Sequence, residues 1–139
     1  MVQDYLNGAR LCLEEAELAF DRENFARTVR RSQEALELAV KAVLRSLGVE
    51  YPREHDVGEA LTVVEERIPS ELRGRIDELR TLLTKLAKVR GPAFYGYERE
   101  GIPPRKAFSS EYAQETLNKV TELATLCFKA VELFSERRA

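Results

Sequence analysis

The sequence predicts an all-α fold, an antiparallel up-and-down bundle of about five helices with a long loop before the last one. Three observations lead there. Apolar residues recur at three- and four-residue intervals along nearly the whole chain, the spacing of one helix face. No stretch keeps the strict alternation of a half-buried strand. Leu, Glu and Arg, all good helix formers, dominate the composition. At 139 residues the chain has the length of one ordinary domain, so residues 1–139 are expected to share one core.

The first segment places Leu6, Ala9, Leu13, Ala16 and Phe20 on one face and breaks at Asp21-Arg22-Glu23-Asn24, where Asn24 is placed to cap the next helix. The second carries Phe25, Val29, Leu36, Val40, Val43 and Leu47 and stops at Gly48. A shorter third helix holds Val57, Leu61, Val64 and Ile68. Pro69-Ser70 resets the chain, with Ser70 set to cap a fourth helix marked by Leu72, Ile76, Leu79, Leu83 and Leu86. Residues 91–108, with Pro92, Pro103 and Pro104, read as a long irregular stretch. Ser109 or Ser110 then restarts a helix carrying Ala113, Leu117, Val120, Ala124, Cys127, Val131 and Phe134. No repeat of 20–50 residues is visible, which argues against a solenoid.

Composition removes several classes of function. Hydrophobic residues make up 44% and charged residues 33%, a globular mix. No apolar run approaches the roughly 18 residues of a membrane span, and the start, Met1-Val2-Gln3-Asp4, does not read as a signal peptide, so a cytoplasmic protein is expected. The net charge of −2 argues against a surface that coats nucleic acid generally. With one histidine and two distant cysteines, Cys12 and Cys127, no zinc spacing exists; no metal and no cofactor are expected, and both thiols are expected free and buried. Arginine outnumbers lysine and glutamate outnumbers aspartate, which leans toward the ion-pair networks of a thermophile.

Function is sought first in residues 91–108, because long loops inside compact domains are usually functional or disordered. Arg90 opens the segment. It lies eighteen positions after Leu72, five whole turns at about 100° per residue, and so falls on the apolar stripe of the fourth helix. A guanidinium there either emerges into water, pairs with a glutamate, or lines a cleft and takes phosphate or carboxylate through its two-pronged fork. The run Arg90-Gly91-Pro92-Ala93-Phe94-Tyr95-Gly96-Tyr97 follows, in which Gly-Pro is expected to end the helix directly after Arg90. Its three aromatics offer faces for a base and hydroxyls for a phosphate, or fold back over the bundle end. Arg99, Arg105 and Lys106 could touch a phosphate backbone, but Glu98 and Glu100 offset them.

Three blocks in order, residues 32–44 (Ser32-Gln33-Glu34 through Lys41-Ala42-Val43-Leu44), residues 55–61 (His55-Asp56-Val57-Gly58-Glu59-Ala60-Leu61) and Arg90-Gly91-Pro92-Ala93-Phe94-Tyr95-Gly96, resemble the HEPN domain family of small prokaryotic proteins. The resemblance implies a helical bundle that forms two-fold dimers. It also implies one of two activities: a metal-independent ribonuclease toxin with an Arg-x4-6-His motif, or a non-catalytic module that binds RNA or nucleotide. Small members often accompany a minimal nucleotidyltransferase in a toxin–antitoxin pair. In some pairs the motif reads Arg-x4-His-x-Tyr and the partner adenylylates the tyrosine.

Carried over by position, Arg90 matches the motif arginine, Tyr95 stands where the histidine would be, and Tyr97 matches the tyrosine that accepts the nucleotidyl group. The substitution at Tyr95 bears on chemistry. Cleavage of RNA by its 2′-hydroxyl needs a proton acceptor and donor working near neutrality. Imidazole, with a reference pKa of about 6.5, suits that; a phenol at about 10 does not. The resemblance therefore points to RNA or nucleotide binding by Arg90, Tyr95, Tyr97 and His55. Catalysis by Arg90 with Tyr95 is the enzyme alternative, and a ligand-free homodimeric adaptor the structural one. His55 has a local alternative as well, capping where loop meets helix. Glu34 and Glu37 are placed to pair with basic groups or to stay solvated. Apolar residues on a second face, Leu82 and Val89 of the fourth helix and Leu126, Ala130 and Leu133 of the last, predict a homodimer.

Overall fold

The computed structural model describes residues 1–50 and 57–138, with the side chains of residues 137 and 138 left aside. Its helices are α1 (Val2–Asp21), α2 (Phe25–Ser46), α3 (Val57–Val63), α4 (Ser70–Arg73), α5 (Ile76–Tyr95), α6 (Pro104–Ala107) and α7 (Ser110–Arg138). Short 3-10 turns occupy Glu65–Arg67 and Glu98–Glu100. Among the described residues there is no strand, only an isolated bridge between Tyr97 and Ile102. The all-α bundle expected from the apolar periodicity is what forms.

Helix α2 is the central member. It packs against α1, α3, α5, α6 and α7, and thirteen of its 22 residues are buried, so its apolar positions must serve several neighbours at once. Its ends follow local chemistry. The Asn24 side chain accepts from the Arg27 amide at 3.1 Å. Beyond the last turn, Gly48 adopts φ +71°, a left-handed conformation that glycine takes without strain. The core runs through Leu36, Val40 and Leu44 of α2, Leu79 and Leu86 of α5, and Val120, Leu123 and Cys127 of α7.

Polar contacts fasten the helices at their margins. Arg31 of α2 reaches Glu15 of α1 at 3.2 Å and Glu34 at 2.9 Å. Arg75, just before α5, binds Glu78 at 2.6 Å and Glu122 of α7 at 2.8 Å, and Lys119 of α7 also binds Glu78. The two cations hold the Glu78 carboxyl down to about 2. Arg67 donates to the Leu47 carbonyl at 2.7 Å, tying the 3-10 turn to the end of α2.

Three sequence expectations are corrected. The fourth helix is two: α4 closes at Gly74 and α5 begins at Ile76, so Leu72 and Arg90 do not share one continuous helix and the eighteen-residue phase does not apply. The third helix ends at Val63, and Ile68 reaches the core from an extended residue instead. The largest correction is at residues 91–108. Gly91-Pro92 does not end the helix; α5 runs five residues past Arg90 with Pro92 inside it. An internal proline forfeits one backbone hydrogen bond and costs about 3 kcal/mol when nothing opposes it. Here Ala93 is buried at 3% exposure and continues the seven-residue line Leu79, Leu86, Ala93, so the helix keeps its seat on the core through the proline. The remainder of the segment is a tight turn and the four-residue α6.

Candidate functional site

The site is assembled at the C-terminal end of α5 from what the helix leaves exposed. Within α5 the buried positions are Ile76, Leu79, Leu83, Leu86 and Ala93. Arg90 falls between the last two and is exposed, with no hydrogen bond or ion pair to another side chain among the described residues. No glutamate partner for it occurs among the described residues. Phe94 follows one turn later on the same side of the helix, since residues four apart are neighbours on a helix surface. It is 44% exposed, and the guanidinium of Arg30 from α2 lies over its ring, 4.3 Å from the centroid.

Tyr95 behaves differently from what a loop would have allowed. Five residues along a continuous helix are about 140° away in projection, so Tyr95 does not share the face of Arg90. It is 68% exposed and leans on Phe94, ring centroids 6.0 Å apart. Phe94 thus joins Arg90 to Tyr95.

Gly96 ends the helix and fixes where Tyr97 goes. Its φ of +73° with ψ −162° is a combination essentially confined to glycine. A β-carbon there would strike the Ile102 carbonyl and lie 2.7 Å from the Pro103 backbone. The amide of Gly96 closes the last turn on the Pro92 carbonyl at 2.8 Å. Tyr97 is then held by two backbone bonds to Ile102, its amide donating at 2.8 Å and its carbonyl accepting at 3.0 Å. Its side chain is 37% exposed and stands near Tyr112 of α7. Burial first, with Tyr97 adding to it, raises the Tyr112 hydroxyl, which is buried with no hydrogen-bond partner among the described residues. Under this turn Phe108 stacks on Tyr112 at 5.6 Å, and the Lys85 ammonium lies 5.3 Å from the Tyr112 ring.

The structure therefore leaves Arg90, Phe94 and Tyr95 exposed along the last turns of α5, Tyr95 on a different face from Arg90, and sets Tyr97 just beyond the glycine turn. His55 lies outside the described residues. Arg30 and Gly96 are contributors that sequence reasoning passed over. Nothing in the helical spacing of α2 singles Arg30 out, and only tertiary packing puts it over Phe94. A glycine after an aromatic run was a legible helix-end signal, obscured by the Gly-Pro that precedes it.

Electrostatically, the group is open to an anion. The Arg30 guanidinium is lowered from the usual arginine value, first by burial and then by Arg27 and Arg31, with Glu34 opposing. Glu34 is engaged by Arg31, and Glu37 by Gln33 at 2.7 Å and Lys41 at 3.3 Å. No group of three His, Cys, Asp or Glu side chains that could hold a metal occurs among the described residues. None of the described helices is long and apolar enough to cross a membrane.

No curated protein matches this chain. No solved structure matches it either. The HEPN domain family model matches residues 2–131, which spans every helix through most of α7 and includes Arg90, Tyr95 and Tyr97. The chain belongs to the HEPN domain family.

Proposed function

We propose that this protein is a non-catalytic HEPN module that binds RNA or nucleotide at the end of α5 and works beside a minimal nucleotidyltransferase in a toxin–antitoxin-type pair in the cytoplasm. The observation that carries the binding half is Arg90, a motif arginine with no side-chain partner among the described residues, one turn from the exposed Phe94. Arg90 supplies the charge and the fork for a phosphate. Phe94 and Tyr95 supply faces for an unstacked base, a contact worth about 1–3 kcal/mol per base.

The non-catalytic half rests on Tyr95. A phenol, with a reference pKa of about 10, is a poor proton acceptor at neutral pH. Its neighbours Gly91 and Pro92 bring no polar side chain to assist.

Tyr97 is the proposed acceptor of a nucleotidyl group. Its backbone is held by the turn after Gly96 and its side chain is partly exposed, so a partner enzyme can address the hydroxyl. Transfer would join the tyrosyl oxygen to the α-phosphorus of ATP and release pyrophosphate, with a base of the partner taking the phenolic proton.

Two assays test this. The chain, co-expressed with a nucleotidyltransferase from the same locus, should gain AMP by intact mass, and Tyr97→Phe should not. Purified chain should leave a labelled RNA intact with and without metal. Rapid cleavage that disappears with Arg90→Ala would replace the binding reading with the ribonuclease one. Absence of both RNA binding and modification would leave a dimeric adaptor.

A further inference from the structure

Outside the motif positions, one charged side chain is held in a way that surface arginines usually are not. The Arg30 guanidinium lies over the Phe94 ring, 4.3 Å from its centroid, and is half-buried, yet no carboxylate among the described residues pairs with it. Its neighbours on α2 increase the local charge. Arg31 is engaged by Glu15 and Glu34, while Arg27, about one turn before Arg30, is exposed and has no ion pair among the described residues. Burial first, and then Arg27 and Arg31, lower the affinity of Arg30 for the proton, with Glu34 opposing. Such crowding is unfavourable unless an anion relieves it. The N-terminal end of α2, whose unpaired amides favour negative charge, is less than two turns away.

The placement relative to Arg90 gives this cation a use. Arg90 stands one turn before Phe94 on α5, and Arg30 reaches Phe94 from α2, so the two cations belong to the same end of the bundle. Helix α6 packs on both α2 and α5 and brings exposed Arg105 and Lys106 to the same end.

We propose that Arg30, held by Phe94, forms a second phosphate subsite next to Arg90, so that the ligand is a single-stranded RNA spanning both guanidiniums rather than a mononucleotide at one. The proposal rests on Arg90 taking a phosphate, as argued above. Arg30 fixes the next phosphate through its guanidinium while keeping its place over the ring. A strand so held keeps its bases splayed toward Tyr95, which duplex RNA, with its bases paired inside, would not allow.

The test is titration of a short oligouridylate across a salt series with the whole chain and four variants, Arg30→Gln, Arg30→Lys, Arg90→Ala and Arg10→Gln. Arg10 stacks on Phe128 at 4.9 Å, a comparable cation–π pair away from this end, and serves as the control for losing one positive charge. Arg30→Gln should weaken binding about tenfold or more, the scale of a lost hydrogen bond to a charged group. It should also flatten the slope of log affinity against log salt by about 0.7, one phosphate on a single strand. Arg30→Lys should keep the slope, and Arg10→Gln should change neither. A purely structural role for Arg30 would lower the melting temperature and leave the slope unmoved, which would overturn the subsite. So would Arg30→Gln binding as well as the parent while Arg90→Ala fails to bind, a result that leaves the Arg90 reading standing. A parent chain with no salt-dependent RNA binding would overturn both.

Discussion

At the scale of single residues, the two cysteines show how burial sets chemistry. Cys12 of α1 donates to Glu34 at 3.5 Å and is pushed up to about 11, by burial first and then by Glu34. Cys127 is enclosed in the core and is pushed up to about 12 by burial alone. Neither forms a disulfide, in line with the free thiols expected from the sequence. A thiol whose folded pKa is raised stays neutral in the fold where the unfolded chain would ionise. Its contribution is therefore fully present below about pH 9 and is lost as pH rises toward 11 or 12. Chemical denaturation above pH 9 should show stability falling by about 1.4 kcal/mol per pH unit for each cysteine, and Cys127→Ala should remove one such slope. Alkylation without reductant should modify both thiols only after unfolding.

At the scale of elements, the informative region is the junction of α5 with the turn that follows. Helix periodicity made α1, α2, α5 and α7 readable, because each buries one long apolar stripe. It misplaced the end of α5 because Gly91-Pro92 is a strong local stop, and only the seat of Ala93 in the core, with Arg30 over Phe94, offsets it. Arg90 was legible as a residue out of keeping with its neighbours. That it would stand exposed beside Phe94 rather than Tyr95 was not, because a five-residue step has one meaning in a loop and another in a helix. Gly96 sets the whole arrangement. Gly96→Ala is expected to destabilise the protein by about 2 kcal/mol or more, the scale of a residue forced into a glycine-only conformation, before any clash with Ile102 is counted. The check is denaturant unfolding. The bridge between Tyr97 and Ile102 should open, seen as faster hydrogen exchange at both amides, while α1 and α7 stay protected. Unchanged stability would mean that the turn can be remade without glycine.

At the scale of the whole molecule, membership of the HEPN family brings an expectation of two-fold dimers. Of the residues that suggested one, Ala130 is buried within the chain, Leu82, Val89 and Leu126 are half-buried, and Leu133 is 41% exposed. Leu11 and Leu18, seven residues apart on α1, are more exposed still, at 55% and 51%. Sedimentation at micromolar concentration should give a dimer; a monomer across that range would contradict it. The account as a whole depends on Arg90 facing a ligand rather than supporting the bundle, and Arg90→Ala separates those roles. RNA titration and thermal melting on the same preparation are the direct measurement. Binding should fall by about 1–3 kcal/mol, the cost of a lost charge-assisted contact, while the melting temperature moves by less than about 2 °C. A variant that binds RNA as well as the parent but melts several degrees lower would contradict the account and make Arg90 a structural residue.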